Sequence, residues 1–153
     1  MYALFTAIPF AEALGPLLRQ AEELQRQGWR VALASAREMA PFVEAEAPTV
    51  PFADIGTLGP IADAMRADVE AAAAHPSFTR PTQRIVRMLS SLWPPMFDGL
   101  TNLVTADRPD VMVVDFFSSS GLSVAEVHGI PAVINNPDLL ACLPATMLPP
   151  AAI

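Results

Sequence analysis

An acidic residue stands at the end of one of the most apolar segments of the chain. Asp115 closes the run Val111–Val114 in "DVMVVDFF", which is rich in β-branched residues and typical of a buried strand. A carboxylate in such a position either accepts hydrogen bonds from loop amides or serves a reaction, because burial alone disfavours its charged form. The loop "PFAEALG" carries a second acid, Glu12, and the simpler interpretation of Glu12 is an exposed residue favoured by a helix N-terminus.

Other common catalytic patterns are missing from the sequence. The serines at 118–120 have no G-x-S-x-G setting, and the sequence contains neither G-x-G-x-x-G nor a P-loop. His75 lies in a turn and His128 near a helix end, where neither is placed as a base. With Cys142 as the single cysteine, no metal-ligand spacing is present, so we expect no bound metal, and without a phosphate-binding glycine motif we expect no cofactor bound by this chain.

Length and composition describe one globular domain. The 153 residues are 52% apolar and 16% charged, and the formal charge of −7 argues against nucleic acid as a partner. No apolar run reaches the roughly 18 residues that a membrane span needs, and "MYALFTAIPF" lacks the features of a secretory signal. We therefore expect a cytoplasmic protein without a membrane span.

Alternating strands and helices must position the acidic residues. Tyr2–Ile8 is predicted as a strand, followed by a helix that begins at Pro16 and ends at Gly28, and by a second strand near Arg30–Ser35. A short helix in "REMAPFVEAEA" and a short strand in "PTVPFADI" follow. Because two strands joined by a helix lie parallel, the predicted fold class is α/β with a Rossmann-like, doubly wound, mostly parallel sheet.

The rest of the chain is predicted as helices and a second strand-helix-strand unit. One helix is expected over 60–74, and two more are separated by a break at Pro94–Pro95. After the Asp115 strand, "SSSGLSVAEVHG" is expected to form a helix capped by a serine, and "IPAVINN" a strand. The final segment "PDLLACLPATMLPPAAI" fits neither element, so we expect the domain to be incomplete at its carboxyl-terminal end.

The candidate site lies where two of these strands end. Ligands of doubly wound sheets bind outside the carboxyl ends of the strands, where the connections diverge to opposite faces. If the first strand and the Asp115 strand are neighbours, the loop from Pro9 to Gly15 faces the segment from Asp115 to Ser120. Apolar residues at the predicted proline break, Trp93, Met96 and Phe97, are candidates for lining a cleft beside them.

Two blocks of the sequence carry a family resemblance. The segments "ALFTAIPFAEALGPLLRQAEELQRQGWRVALAS" and "PFVE" resemble the amino-terminal, acceptor-binding half of UDP-dependent glycosyltransferases of the GT-B type. There, a strand is followed by Pro-x-x-Gly-His-x-x-Pro and by a helix that ends in Arg-Gly-His. The segment "ADRPDVMVVDFFSSSGLSVAEVHGIPAVINNP" is similar to the Pro-Asp-x-x-x-x-Asp block and the Gly-Ile-Pro strand of that family.

The resemblance implies sugar transfer with inversion, in which a loop histidine deprotonates the acceptor hydroxyl and an aspartate holds the histidine. Asp115 matches the family aspartate. When Pro9 and Pro16 are aligned with the two family prolines, Glu12 takes the position of the glycine and Ala13 the position of the histidine. An alanine cannot accept a proton. Three explanations are open: an inactivated copy, which we favour, an unusual base such as Glu12 or Asp115, or a different alignment of the loop.

The chain is therefore predicted to be a single acceptor-binding domain over 1–153, without the donor-binding domain and inactive in isolation. A UDP-sugar would be the co-substrate of the complete enzyme, and the partners would be a small hydrophobic acceptor and a donor-binding domain or chain. The predicted acceptor-binding residues are Phe10, Leu14, Trp93, Met96, Phe97, Phe116, Phe117, Asn135 and Asn136. Two alternatives are a non-catalytic accessory subunit and an unrelated flavodoxin-like binding module. The apolar carboxyl-terminal end is a candidate surface for self-association.

Overall fold

The fold is an α/β sandwich built on one parallel sheet. The structure is a computed structural model that describes residues 1–59, 61, 63 and 79–136. Its sheet has five strands in the order β3-β2-β1-β4-β5, and every neighbouring pair is parallel. The strands are β1 (Tyr2–Thr6), β2 (Arg30–Ser35), β3 (Phe52–Asp54), β4 (Val111–Asp115) and β5 (Ala132–Asn135). The predicted α/β fold class with a parallel, doubly wound sheet is confirmed.

Helices cover both faces of the sheet. They are α1 (Ala11–Arg26), α2 (Ala40–Glu46) after a 3-10 turn at Arg37–Met39, α3 (Thr79–Ala106) and α4 (Ser119–Val127). The helix predicted over 60–74 lies outside the described residues apart from positions 61 and 63, and so does the final segment 137–153. Within the described ranges, no helix combines the length and apolar character that crossing a membrane requires.

Strand β1, at the centre of the sheet, contributes side chains to two hydrophobic cores, one on each face of the sheet. Tyr2 and Leu4 of β1 pack on the side of α3 and α4, whereas Ala3 and Phe5 pack on the side of α1 and α2. This alternation follows from the period of two in a strand. The continuous apolar run at the start of the sequence is thus explained by burial on both faces of a parallel sheet.

The predicted start of the first helix is wrong. Helix α1 begins at Ala11, five residues before Pro16, so Pro16 lies inside the helix. Starting at Ala11 places Leu14 on the same buried stripe as Leu17 and Ala21, and all three side chains are fully buried. Burial of a leucine contributes about 1.5–3 kcal/mol. That gain offsets the local penalty of an interior proline, which is about 3 kcal/mol.

The predicted break at Pro94–Pro95 is also wrong, because α3 continues through both prolines. The prolines remove two backbone hydrogen-bond donors from the helix. However, Leu92, Met96 and Leu100 recur every four residues across them, and each is at most 1% exposed. The apolar stripe of α3 can pack on the sheet only if the helix is continuous, and this burial outweighs the local preference for a break.

Helix α3 approaches the loop after β3 very closely at Gly99. A Cβ atom at this position would lie 2.2 Å from the carbonyl oxygen of Ile55 and 2.8 Å from its Cβ. Both contacts are shorter than any van der Waals separation, so only glycine allows the helix to lie here. The contact lies next to Ile55 and Leu58, which are buried in the hydrophobic core between α3 and the sheet.

We expect Gly99→Ala to lower the free energy of unfolding by about 1–3 kcal/mol, because overpacking outweighs the better helix propensity of alanine. Gly15→Ala is the matched control within a helix, since its added Cβ would meet only Arg19 Nη1 at 3.9 Å. That control should keep or raise stability by up to about 1 kcal/mol. Urea denaturation measures both, and equal stability of the two variants would contradict the close approach.

A polar cluster anchors the loop after β3 to the turn after β2. Arg37 Nε donates to Asp54 Oδ2 at 2.7 Å, and the amide of Gly56 donates to Asp54 Oδ1 at 2.8 Å. The hydrogen bond from the Gly56 amide, and after it the one from Arg37, hold the pKa of Asp54 below its ordinary value. Burial raises the pKa of Glu38, but hydrogen bonds from Thr57 and from backbone amides outweigh it, so this pKa is also lowered. Both carboxylates therefore bind protons less readily in the folded chain than in the unfolded chain.

Stability should fall as the pH is lowered from about 5 to about 2, because depressed carboxylate pKa values contribute stability that is present above their unfolded values and lost below. The double variant Asp54→Asn, Glu38→Gln should be less stable at pH 7 and should lose less stability on acidification. Urea denaturation at several pH values measures this. Parallel stability curves for the wild type and the double variant would show that these two carboxylates do not contribute.

Candidate functional site

The carboxyl ends of β1 and β4 lie side by side. The two strands pair in register, with Thr6 opposite Val114. The chain continues from the two strand ends in opposite directions along the sheet. Strands β2 and β3 lie beyond β1, whereas β5 lies beyond β4. The predicted adjacency of these strand ends is confirmed, and it forms the switch point where doubly wound sheets bind ligands.

Asp115 ends β4 and faces α1. Its neighbour two residues earlier, Val113, packs in the core beneath α1 and α2, so the same face of the strand carries Asp115. The residue is 5% exposed, and its Oδ2 accepts a hydrogen bond of 3.1 Å from the amide of Phe117. Its backbone oxygen accepts a second one of 2.8 Å from the amide of Ser118. Asp115 thus organises the turn between β4 and α4.

Ala13 and Glu12 occupy the first turn of α1, on the same face of the sheet as Asp115. The amide of Ala13 donates to the Phe10 carbonyl at 3.1 Å. The half-buried Ala13 methyl group packs against both cores, whereas Glu12 is exposed. Neither side chain therefore offers a base that is enclosed beside Asp115.

Asn135 is the neighbour of Asp115 on the next strand, since the two residues pair in register between β4 and β5. Its Oδ1 accepts a hydrogen bond of 3.0 Å from Gln20 Nε2 of α1. The adjacent Asn136 is half-buried. Sequence analysis singled out both asparagines and missed Gln20. The spacing of seven residues between Ala13 and Gln20, which is two helical turns, could have indicated that they share one side of α1.

A cavity opens between α3 and α4, over the opposite face of the sheet. It has a volume of about 400 Å³ and is lined by Leu89, Ser90, Trp93 and Ser119. Trp93 is 36% exposed and stacks on Phe97 with ring centroids 4.8 Å apart and an interplanar angle of 13°. Among these lining residues, Trp93 was predicted to bind the acceptor and Ser119 lies in the segment expected at the site, whereas Leu89 and Ser90 were not predicted there.

Two further aromatic residues stand in the loop between β4 and α4. Phe116 is 41% and Phe117 is 47% exposed, and their rings meet edge to face at 5.3 Å. They directly follow Asp115, so they flank the carboxyl edge of the sheet. Phe10, in the loop after β1, is half-buried and packs against the core.

Two of the predicted acceptor-binding residues are core residues. Leu14 is 0% and Met96 is 1% exposed, and each packs in the hydrophobic core beneath its own helix. We leave both out of the candidate acceptor surface. The structure therefore groups Asp115 with Ala13 and Asn135 on the α1 side and the Trp93 cavity on the α3 side, with the loop between β4 and α4 joining them.

The predicted serine cap of α4 is wrong. Ser118 precedes the helix but makes no side-chain capping bond, and its Oγ is buried without a hydrogen-bond partner among the described residues. The helix instead approaches the strand ends closely, since a Cβ at Gly121 would lie 2.6 Å from Thr6 Cγ2 and 2.9 Å from Val114 Cγ1. Within the described ranges, no three His, Cys, Asp or Glu side chains are grouped to hold a metal ion.

Several solved structures to which this chain is similar are glycosyltransferases. The Streptomyces sp. SF2575 glycosyltransferase SsfS6 is 25% identical, with a TM-score of 0.71 over 92% of this chain and 42% of that one. SnogD from Streptomyces nogalater is 20% identical, with a TM-score of 0.66 over 88% of this chain and 33% of that one. VinC, in complex with DTDP, is 20% identical, with a TM-score of 0.63 over 88% and 34%.

The chain spans less than half the length of these glycosyltransferases. No protein-family model matches the sequence, and no curated protein matches it by sequence similarity. Sequence resemblance and structural similarity nevertheless agree that the chain has the fold of the amino-terminal half of GT-B glycosyltransferases.

Proposed function

We propose that this chain is the acceptor-binding domain of an inverting glycosyltransferase, which moves a sugar from a nucleotide-sugar donor to a hydroxyl of a small hydrophobic acceptor. The observation that carries the proposal is the position of Asp115 at the end of β4, next to β1 and on the face covered by α1. The similarity to SsfS6 over 92% of the chain supports the same assignment.

The chemistry requires a base near the acceptor hydroxyl, because an alcohol becomes a good nucleophile only as its proton leaves. Asp115 would orient and stabilise an imidazole at position 13, but Ala13 offers only a methyl group. Glu12 is exposed, and one oxygen of Asp115 is engaged by the amide of Phe117. Carboxylates are also weak bases at neutral pH. We therefore favour an inactivated copy over a substitute base.

The cavity between α3 and α4 is the proposed acceptor pocket. Its volume of about 400 Å³ falls in the range of pockets for small organic ligands. Leu89 and Trp93 give it apolar walls, and Ser90 and Ser119 add hydroxyl groups. Such a lining fits a planar hydrophobic acceptor that carries a few polar groups, and the exposed rings of Phe116 and Phe117 extend the apolar surface toward Asp115.

The donor would be held by a carboxyl-terminal domain or a separate chain. VinC was crystallised with DTDP and SsfS6 with thymidine diphosphate, which supports a nucleoside diphosphate sugar as the co-substrate. Sequence resemblance points to UDP as the nucleotide, and the thymidine nucleotides of these neighbours make a thymidine diphosphate sugar an equal candidate. This chain itself would bind only the acceptor.

A non-catalytic accessory subunit is the second candidate function. Among the described strands, β5 is an edge of the sheet, and Val133 and Ile134 are 55% and 52% exposed on its opposite faces. Apolar edge strands of this kind are sites of protein association. Together with Ala13 at the position of the base, the exposed edge favours a partner role over catalysis by this chain.

Restoring the base distinguishes the two functions. In a chimera of this chain with the donor-binding half of SsfS6, Ala13→His should raise kcat at least about 10²-fold, because general base catalysis is worth that much. Adding Asp115→Asn should remove most of the gain, since the imidazole loses its orienting group. Steady-state kinetics with a panel of hydroxylated acceptors measures these rates.

Ala11→His is the matched control for the restored base. Ala11 is exposed on the same first turn of α1, so an imidazole there adds a base without placing it at the aligned position. Equal rates for the variants at positions 11 and 13, in folded chimeras that bind the donor, would refute the assignment of Ala13 and favour the accessory role.

Trp93→Ala should weaken binding of hydrophobic acceptors at least about tenfold, because it removes the largest apolar wall of the cavity. Phenolic, terpenoid and macrolide compounds are tested by thermal shift, since a ligand that binds the native state raises the Tm. Phe42→Ala is the control, because Phe42 is a half-buried aromatic residue packed against the other core. An acceptor that shifts the Tm of the Trp93 variant as strongly as that of the wild type would place its pocket elsewhere.

A further inference from the structure

The side-chain carboxamide of Asn135 has a hydrogen bond at its oxygen and none at its nitrogen among the described residues. Gln20 Nε2 donates to its Oδ1 at 3.0 Å. Its Nδ2 is buried and has no hydrogen-bond partner among the residues that the structure describes. Because the amide group is planar, a hydrogen bond at Oδ1 also restricts the direction of the two N–H bonds at Nδ2.

The nearest strand neighbour of this amide donor is Asp115. The two residues pair in register on parallel strands, so their side chains lie on the same face of the sheet. Neighbouring strands are about 4.8 Å apart, a spacing at which a small rotation of the Asp115 side chain brings its carboxylate within hydrogen-bond distance of the amide that Gln20 holds. A buried amide donor that stays unpaired is destabilising, whereas a carboxylate is a strong acceptor for it.

We propose that Asn135 is a positioning residue for Asp115, donating from Nδ2 to its carboxylate while Gln20 holds the amide in the required orientation. This inference rests on the proposed function, in which Asp115 is the carboxylate of the site. The amide of Phe117 already binds Asp115 Oδ2 from the loop side. A second donor from β5 fixes the plane of the carboxylate beneath the first turn of α1.

Titration of the Asp115 carboxyl carbon by NMR, in the chain alone, tests the proposal. Asn135→Ala should raise the pKa of Asp115 by about one unit, because a hydrogen bond to the charged form is lost. A purely structural role of Asn135 gives the opposite sign, since a smaller side chain admits water and stabilises the charged carboxylate. Gln20→Met, which keeps the length of the side chain but removes its donor, should raise the pKa by a smaller amount.

Gln25→Met is the matched control on the same helix. Gln25 Nε2 donates to the Thr49 carbonyl at 2.7 Å, in the loop between α2 and β3 at the far end of the sheet from β5, so its loss should leave the titration of Asp115 unchanged. The ionisable residues of α1, the helix over Asp115, are Glu12, Arg19, Glu22, Glu23 and Arg26. Repeating the titrations in a Glu12→Gln background removes the acid of the first turn, and the shifts should persist.

An unchanged or lowered pKa of Asp115 in natively folded Asn135→Ala overturns the proposal. If that variant does not fold, Gln20→Met decides the question by the same criterion. The measurement needs neither acceptor nor donor, so it is separable from the proposed function. A raised pKa together with no acceptor binding would leave the positioning role intact and contradict the acceptor-binding function.

Discussion

The parallel pairing of β1 with β4 is the constraint on which the candidate site depends. Thr6 and Val114 are neighbours across this pair, although more than a hundred residues separate them along the chain. Their pairing brings the loop that begins α1 and the turn after Asp115 to one edge of the sheet. Gly121 permits α4 to lie directly on the same two strand ends, because any Cβ there would collide with Thr6 and Val114. The packing of α4 on β1 and β4 therefore fixes the positions of the loops at the carboxyl edge of the sheet.

The sheet separates the two halves of the proposed site. Asp115, Ala13 and Asn135 belong to the face covered by α1, whereas the cavity with Trp93 lies between α3 and α4 over the other face. The loop with Phe116 and Phe117 connects them at the carboxyl edge. An acceptor seated against Trp93 would have to extend across this edge to bring a hydroxyl to Asp115.

Asp115 and Ala13 stand where the family resemblance places the aspartate and the histidine. Asp115 retains a buried place at the strand end and a hydrogen bond from the loop, so its local structure does not depend on a histidine. The half-buried side chain of Ala13 packs against both hydrophobic cores. The two proposed roles, binding of an acceptor and association with a partner at β5, require no base at position 13.

The order of strands and helices and the strand-end position of Asp115 could be predicted from sequence, because hydrophobic periodicity and glycine stops are local signals. The start of α1 before Pro16 and the continuity of α3 through Pro94 and Pro95 could not, since burial of apolar stripes against the sheet outweighs the local preference of proline. The hydrogen bond between Gln20 and Asn135 joins residues 115 positions apart. The sequence by itself determined that Asp115 stands at the end of a strand and that position 13 is an alanine. The tertiary structure decided which face Asp115 takes and which side chains surround it, because contacts between distant segments form only when the sheet is assembled.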